Sequence, residues 1–316
     1  MKRSSAIAIG SATVIGGGAA ALALYSHLAG QAAEELVPPD GQFMEVDGAR
    51  LHFVDKGSGP AIVMIHGLGA QLRNFSYGLL DRLTDDYRVI LVDRPGSGYS
   101  TAWAPPQPGV AQQARMIAQL IDNLGLDKPL LVGHSLGGAV SLAMALNHPG
   151  IARGLVLLAP ATQPQTEVPD AFRGMTLTAP WLRKLIANTV AAPLAKANAG
   201  RIRQQLFAPE PVPDDFEVRG GVALSLRPAN IEMSMFELLS AGRELDAMAQ
   251  RYPHLSLPVT IQFPRGDKVL DYRLHGERTA GAIPGATIDL IDGGHMYPLT
   301  QPEQAERVIR ASFAAV

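Results

Sequence analysis

Pro129-Leu130-Leu131-Val132-Gly133-His134-Ser135-Leu136-Gly137-Gly138 is the stretch on which the reading of the whole chain turns. A short apolar run with the pattern of a buried parallel strand leads into G-x-S-x-G, and that leads into Ala139 to Leu146, an apolar stretch that reads as a helix. Strand, serine between glycines and helix together make a nucleophile elbow. The turn is tight enough to force strained backbone angles on its serine. Gly133 and Gly137 are required because a Cβ at either position would strike the neighbouring strand or helix. Ser135 is thereby pushed out at the carboxyl end of a sheet, at the positive end of a helix. A bare G-x-S-x-G also occurs in ordinary glycine-rich turns, so a catalytic reading needs a base and an orienting acid elsewhere in the chain.

Toward the amino terminus, Tyr87 to Val92 reads as another parallel strand and Val110 to Leu124 as a helix closed by Gly125. Between them lies Asp93-Arg94-Pro95-Gly96-Ser97-Gly98-Tyr99-Ser100. It contains G-x-G, but no helix opens after it, so it reads as a structural loop and not a dinucleotide site. Ala61 to Ile65 is continuously apolar, as a strand covered on both faces would be. It ends in His66-Gly67-Leu68-Gly69. The glycines Gly67 and Gly69 let the backbone approach a ligand, and the N–H of Leu68 would point toward the elbow. With the N–H of Leu136 it would form an oxyanion hole. His66 itself reads as hydrogen-bonded within this supporting loop. Before it, Phe43 to Val46 and Arg50 to Asp55 alternate around Asp47-Gly48 and suggest a hairpin, and Asn74 to Leu83 reads as a helix.

Beyond the elbow, Gly154 to Ala159 supplies a further buried strand. From Thr162 onward no strand-like run appears until after His254. Pro180 to Ala199 reads as one helix kinked at Pro193, Asp214 to Leu226 as a second, and Asn230 to Ala249 as a third with Asn230 as N-cap. Phe172, Met175, Trp181, Phe207, Phe216, Met233, Met235, Phe236 and Met248 are expected to form mostly the core of this insert, with a few facing the site. The insert falls where a lid would cover Ser135. The sheet resumes at Val259 to Phe263, and Asp267 follows just past that strand's end, with Asp271 as its rival. Ala286 to Ile291 is the last strand. His295 lies in the glycine-flanked loop after it, and Pro302 to Phe313 closes the chain as a helix.

The composition sets the outer bounds. The chain has 316 residues, 47% of them hydrophobic and 18% charged, with a net charge of -2 and no cysteine. That excludes an electrostatic footprint for nucleic acid, disulfides and thiolate chemistry. Lys2 and Arg3 precede Ser4 to Gly30, which carries no charge and exceeds the roughly 20 apolar residues that span a bilayer. An uncleaved membrane anchor is expected. Its catalytic domain would lie on the periplasmic or extracytoplasmic side of the inner membrane; a cleaved signal peptide, cut near Gly30-Gln31-Ala32, is the alternative. The expected organisation is an anchor or signal segment over 1–33, a linker over 34–42, an α/β core over 43–161 and 256–316, and a helical lid over 162–255.

These motifs, in this order, closely resemble the α/β-hydrolase superfamily: His66 to Gly69, Asp93 to Ser100, Gly133 to Gly138, Gly266-Asp267, and Gly294-His295-Met296-Tyr297-Pro298. The resemblance runs from Phe43 to the carboxyl terminus, the lid excepted. It implies an α/β fold with a doubly wound, mostly parallel sheet, and a serine hydrolase whose triad is Ser135, Asp267 and His295. It implies no metal and no organic cofactor. Relatives that open epoxides or remove halides use an aspartate where this chain has Ser135. The expected substrate is a small to medium apolar ester. C–C bond hydrolysis, cofactor-free perhydrolysis and lipase action at a membrane are alternatives on the same triad, and a non-catalytic ligand receptor is a remote one. Nothing in the chain reads out an oligomeric state.

Overall fold

In the computed structural model the chain is described over residues 2–103, 107–165, 172 and 175–316, with the side chains of residues 2–16 left aside. A long helix, α1 (Lys2–Leu36), precedes a hairpin of β1 (Gln42–Val46) and β2 (Ala49–Lys56). Then come β3 (Ala61–Ile65), the short helices α2 (Arg73–Ser76) and α3 (Leu80–Leu83), β4 (Arg88–Val92) and a two-residue strand, β5 (Thr101–Ala102). The centre of the fold is α4 (Val110–Asn123), β6 (Leu130–His134), α5 (Leu136–Asn147) and β7 (Gly154–Leu158). The insert carries α6 (Pro180–Asn188), α7 (Ala191–Phe207), a 3-10 turn (Val222–Leu226) and α8 (Pro228–Ala249). The chain ends with β8 (Val259–Pro264), a π turn (Arg273–Glu277) running into α9 (Arg278–Ala282), β9 (Thr287–Ile291), α10 (Tyr297–Thr300) and α11 (Pro302–Ala314).

The strands form one sheet in the order β1-β2-β4-β3-β6-β7-β8-β9, with β5 paired to β2. From β4 to β9 every neighbouring pair is parallel, and only β1, β2 and β5 join antiparallel. β3, β6 and β7 are buried at every position, which is why they read as unbroken apolar runs and not as alternating ones. α4 shows the other pattern: Val110, Ala114, Ile117 and Ile121 form one buried stripe. Register then places the functional loops. Ile65 pairs with Gly133, His134 with Leu158, Leu158 with Gln262 and Pro264 with Ile291. The loops leaving β3, β6, β8 and β9 therefore all emerge at one edge of the sheet.

Several elements depart from the sequence reading. The helix expected over Asn74 to Leu83 is two short turns, and Asp214 to Leu226 is a run of turns ending in the 3-10 segment. The break between α6 and α7 falls at Thr189 and Val190, and not at Pro193. Pro193 sits in the first turn of α7, where its missing N–H costs nothing. Asn230 lies inside the first turn of α8 and donates to Leu224 O at 2.9 Å, while Arg227 is the cap position. Trp181, expected among the residues of the insert's core, is 69% exposed.

The N-terminal segment also differs. α1 continues through Glu34 and Glu35 to Leu36, so the expected linker is shorter than 34–42. Among the described residues no helix is long and apolar enough to cross a membrane. The expectation of a spanning N-terminal helix is therefore not supported: glycine and alanine dominate its apolar stretch and give it little hydrophobic area per turn. Its second half packs against the insert. Ser26 Oγ donates to Thr189 O at 2.6 Å, Arg227 pairs with Glu34 at 2.8 Å, and Ala33 and Val37 are buried with Ala223 and Leu224.

Candidate active site

Ser135 sits at the amino end of α5 with φ 53° and ψ -121°, a left-handed angle in a residue that is not glycine. Such an angle costs on the order of 1–3 kcal/mol and persists only where the surroundings impose it. Here they do. A Cβ on Gly137 would lie 1.9 Å from Ile65 O, and one on Gly133 would lie 2.5 Å from Gly137 O. Ser135 N donates to Leu158 O at 3.1 Å, so β7 pins the turn from the other side.

His295 Nε2 lies 3.0 Å from Ser135 Oγ, and His295 Nδ1 lies 2.7 Å from Asp267 Oδ2. The second oxygen of Asp267 accepts from Val269 N at 2.7 Å and Leu270 N at 3.0 Å. Both imidazole and carboxylate are buried, at 5% and 1% side-chain exposure, so the pair is shielded from competing water. Asp271 is not part of this chain of bonds. It is exposed, and its Oδ1 accepts from Arg273 N at 2.8 Å, opening the π turn. His134, next to the serine, faces away from it and lies 3.0 Å from His295 O through Nε2. Burial, and after it the neighbouring His295, pushes His134 down to about 3. It is therefore neutral at physiological pH and can donate to that carbonyl, holding the His295 backbone.

The loop after β3 stands against the serine: a Cβ on Gly67 would meet Ser135 Cβ at 2.9 Å. Leu68 and Leu136 both line the cavity at Ser135. His66 is locked inside the loop, as its sequence context suggests. Its Nε2 accepts from Arg94 N and its Nδ1 bonds Gly67 O, both at 2.9 Å. Burial first, and the Arg94 charge second, hold it well below its ordinary value, so it stays neutral.

In sequence Arg94 reads only as part of a structural loop; in the fold it does more. Fully buried, it donates through Nε to His66 O at 2.9 Å and through Nη2 to Gly67 O at 2.8 Å. The same guanidinium forms a two-pronged ion pair with Glu237 of α8 and donates to Gln113 Oε1 of α4. Gln113 Nε2 in turn donates to Glu237 Oε1 at 2.8 Å. One side chain thus ties the loop after β3 to α4 and to the insert. Its partner Glu237 lies 143 residues away, beyond any local pattern.

The cavity over Ser135 measures about 110 Å³. Leu68, Ala161, Phe172, Leu238, Leu245 and Val269 are among the residues that line it, so both core and insert contribute. The imidazole of His275 also borders it. Burial lowers His275 to about 4, and its Nδ1 accepts from Thr162 N at 3.1 Å and Gln163 N at 3.2 Å. Sequence reading missed His275; its position inside an irregular turn after β8 left no periodic signal.

Comparison with known proteins bears on the family and the fold. Residues 60–302 match the family model described as alpha/beta hydrolase fold. The dihydrolipoyllysine-residue acetyltransferase component of the acetoin cleaving system of Cupriavidus necator is 30% identical over 296 residues, covering 92% of this chain and 73% of that protein. Among solved structures, a thermophilic esterase from Thermogutta terrifontis superposes with a TM-score of 0.71 at 22% identity, over 87% of this chain and 99% of its own. A bacterial membrane phospholipase A does so with a TM-score of 0.71 at 21% identity, over 100% of this chain and 99% of its own. With the matched model spanning the core from β3 to the last helix, the chain belongs to the alpha/beta-hydrolase fold family.

Proposed function

We propose that this protein is a serine hydrolase that cleaves carboxylic esters of small to medium apolar substrates through an acyl-enzyme. The observation that carries the reading is the unbroken bond chain Ser135–His295–Asp267 at 3.0 and 2.7 Å, opening into an apolar cavity. His295 Nε2 takes the proton of Ser135 Oγ as that oxygen attacks the ester carbonyl, and Asp267 holds the imidazole in the required tautomer and stabilises its cation. The N–H groups of Leu68 and Leu136 serve as oxyanion donors. The alcohol leaves with the proton from His295, and water, activated by the same histidine, releases the acid. The cavity is smaller than the roughly 300–1,000 Å³ of typical ligand sites, which favours short acyl groups.

Hydrolysis of p-nitrophenyl esters across acyl lengths, with Ser135→Ala alongside, tests this. The expected result is turnover falling off with long chains and lost in the variant. Folded protein that neither turns over esters nor reacts with a fluorophosphonate would overturn it.

We also propose an extracytoplasmic location at the inner membrane, supported by Lys2 and Arg3 ahead of the uncharged Ser4 to Gly30. Protease accessibility of the catalytic domain in spheroplasts, against intact cells, checks it.

A further inference from the structure

Among the described residues, seven of the eleven large hydrophobic side chains left exposed lie on α1, α6 and α7. These three helices pack on one another, and the Ser26–Thr189 bond joins α1 to the end of α6. On α1, Leu24 and Leu28 are exposed one turn apart, on the side opposite the buried Ser26, and on α6 Leu185 lies one turn before Thr189. Trp181, at 69% exposure, shares the outer side of α6 with Leu185, four residues on; Leu194 extends the surface onto α7. A single exposed leucine needs no explanation, but a cluster of this kind does.

The charges around the cluster are one-sided. From Pro180 to Phe207 the chain carries Arg183, Lys184, Lys196, Arg201 and Arg203, and no aspartate or glutamate, although the whole protein has a net charge of -2. Arg183 is turned inward onto Leu177 O and Thr178 O, and Arg203 pairs with Glu217. Lys184, Lys196 and Arg201 are exposed and have no carboxylate partner among the described residues.

We propose that the face made by α1, α6 and α7 docks onto an anionic lipid bilayer, with Trp181, Leu185 and Leu194 entering its headgroup region. An apolar surface rimmed by cations and carrying a tryptophan is the pattern of an interfacial helix. A second copy of the chain is the competing occupant. A two-fold interface would set this patch against itself and bring Lys184, Lys196 and Arg201 toward the same three cations, with Glu35 of α1 the one exposed acid described on these helices. A bilayer also accounts for α1, whose stretch from Ser4 to Gly30 is uncharged and in which, among the residues whose side chains are described, Ser26, Gly30 and Ala33 are the buried ones. The docking does not depend on α1 crossing the membrane, nor on the ester reading of the site.

The test uses the full chain reconstituted in vesicles. The protein has two tryptophans, so Trp103→Phe leaves Trp181 as the sole emitter. In vesicles of phosphatidylcholine with phosphatidylglycerol, Trp181 emission is expected to shift to the blue. Lipids brominated near the headgroup should quench it, and aqueous iodide should lose most of its access. Adding Lys184→Glu and Lys196→Glu should reverse all three changes. Trp181 that remains iodide-accessible in anionic vesicles overturns the proposal. So does a blue shift that appears without lipid and fades on dilution, which would assign the face to a second copy. Circular dichroism and ester hydrolysis of each variant report folding separately, and the fluorescence readout does not depend on turnover.

Discussion

Two aspartates follow β8 within seven residues, and only one reaches the histidine. Asp267 has one oxygen on His295 and the other on two backbone amides, so it is fixed before substrate arrives. Asp267→Asn keeps the shape but removes the charge and the preference for the correct tautomer. It should lower kcat about ten-thousand-fold, whereas Asp271→Asn should leave kcat within about twofold, both measured by steady-state ester hydrolysis. Ser135→Ala and His295→Ala should each cost about a million-fold, and combining them should add little, because the two groups act as one unit. The three side chains that meet here can be named from the sequence. Ser135 follows an unbroken apolar strand and Asp267 and His295 follow mostly apolar ones, and glycines mark the loops. Arg94, Glu237 and His275 cannot be named that way. Their roles come from partners more than a hundred residues distant, and a buried arginine is indistinguishable in sequence from a surface one.

At the scale of elements, the elbow and the insert obey different rules. The elbow is set by steric exclusion. Gly137→Ala would drive a methyl into Ile65 O, and soluble expression with near-native circular dichroism is not expected; Gly125→Ala, whose site is open, should cost only about 1 kcal/mol for its positive φ. The link between β3 and α8 is set by charge. Arg94→Met strands Glu237 in the interior and should destabilise by about 3–5 kcal/mol in urea titrations. Pairing it with Glu237→Leu should recover most of that loss, because an apolar pair can replace a buried ion pair. The recovered double variant should still show reduced kcat, since His66 O and Gly67 O have lost the donors that hold the loop. Local patterning locates α4 and every strand of the parallel sheet within a residue or two, and α5 within three. It fails in the insert, where the break at Thr189 is fixed by a bond to α1 and not by the nearby proline.

The whole molecule should be acid-sensitive for a reason outside the triad. His66, His134 and His275 are buried and neutral, the last two held near 3 and 4. Their ordinary value is near 6.5, so the unfolded chain takes up protons first as pH falls. Stability is full above about pH 7 and drops below it, by about 1.4 kcal/mol per pH unit for each such histidine, until the folded-state values are reached. Urea midpoints at pH 8, 6 and 5 should show this decline, and His275→Asn should flatten it.

The seat of α1 on the insert carries one more consequence. A peptidase cutting after Ala32 would strip Ser26 and Gly30 from the insert and leave Ala33 and Val37 behind. Thr189 would lose the hydroxyl it accepts from, at the point where α6 meets α7. The chain without its first 32 residues would then carry a loosened corner between α6 and α7, remote from the cavity wall, and should lose stability in urea before it loses selectivity.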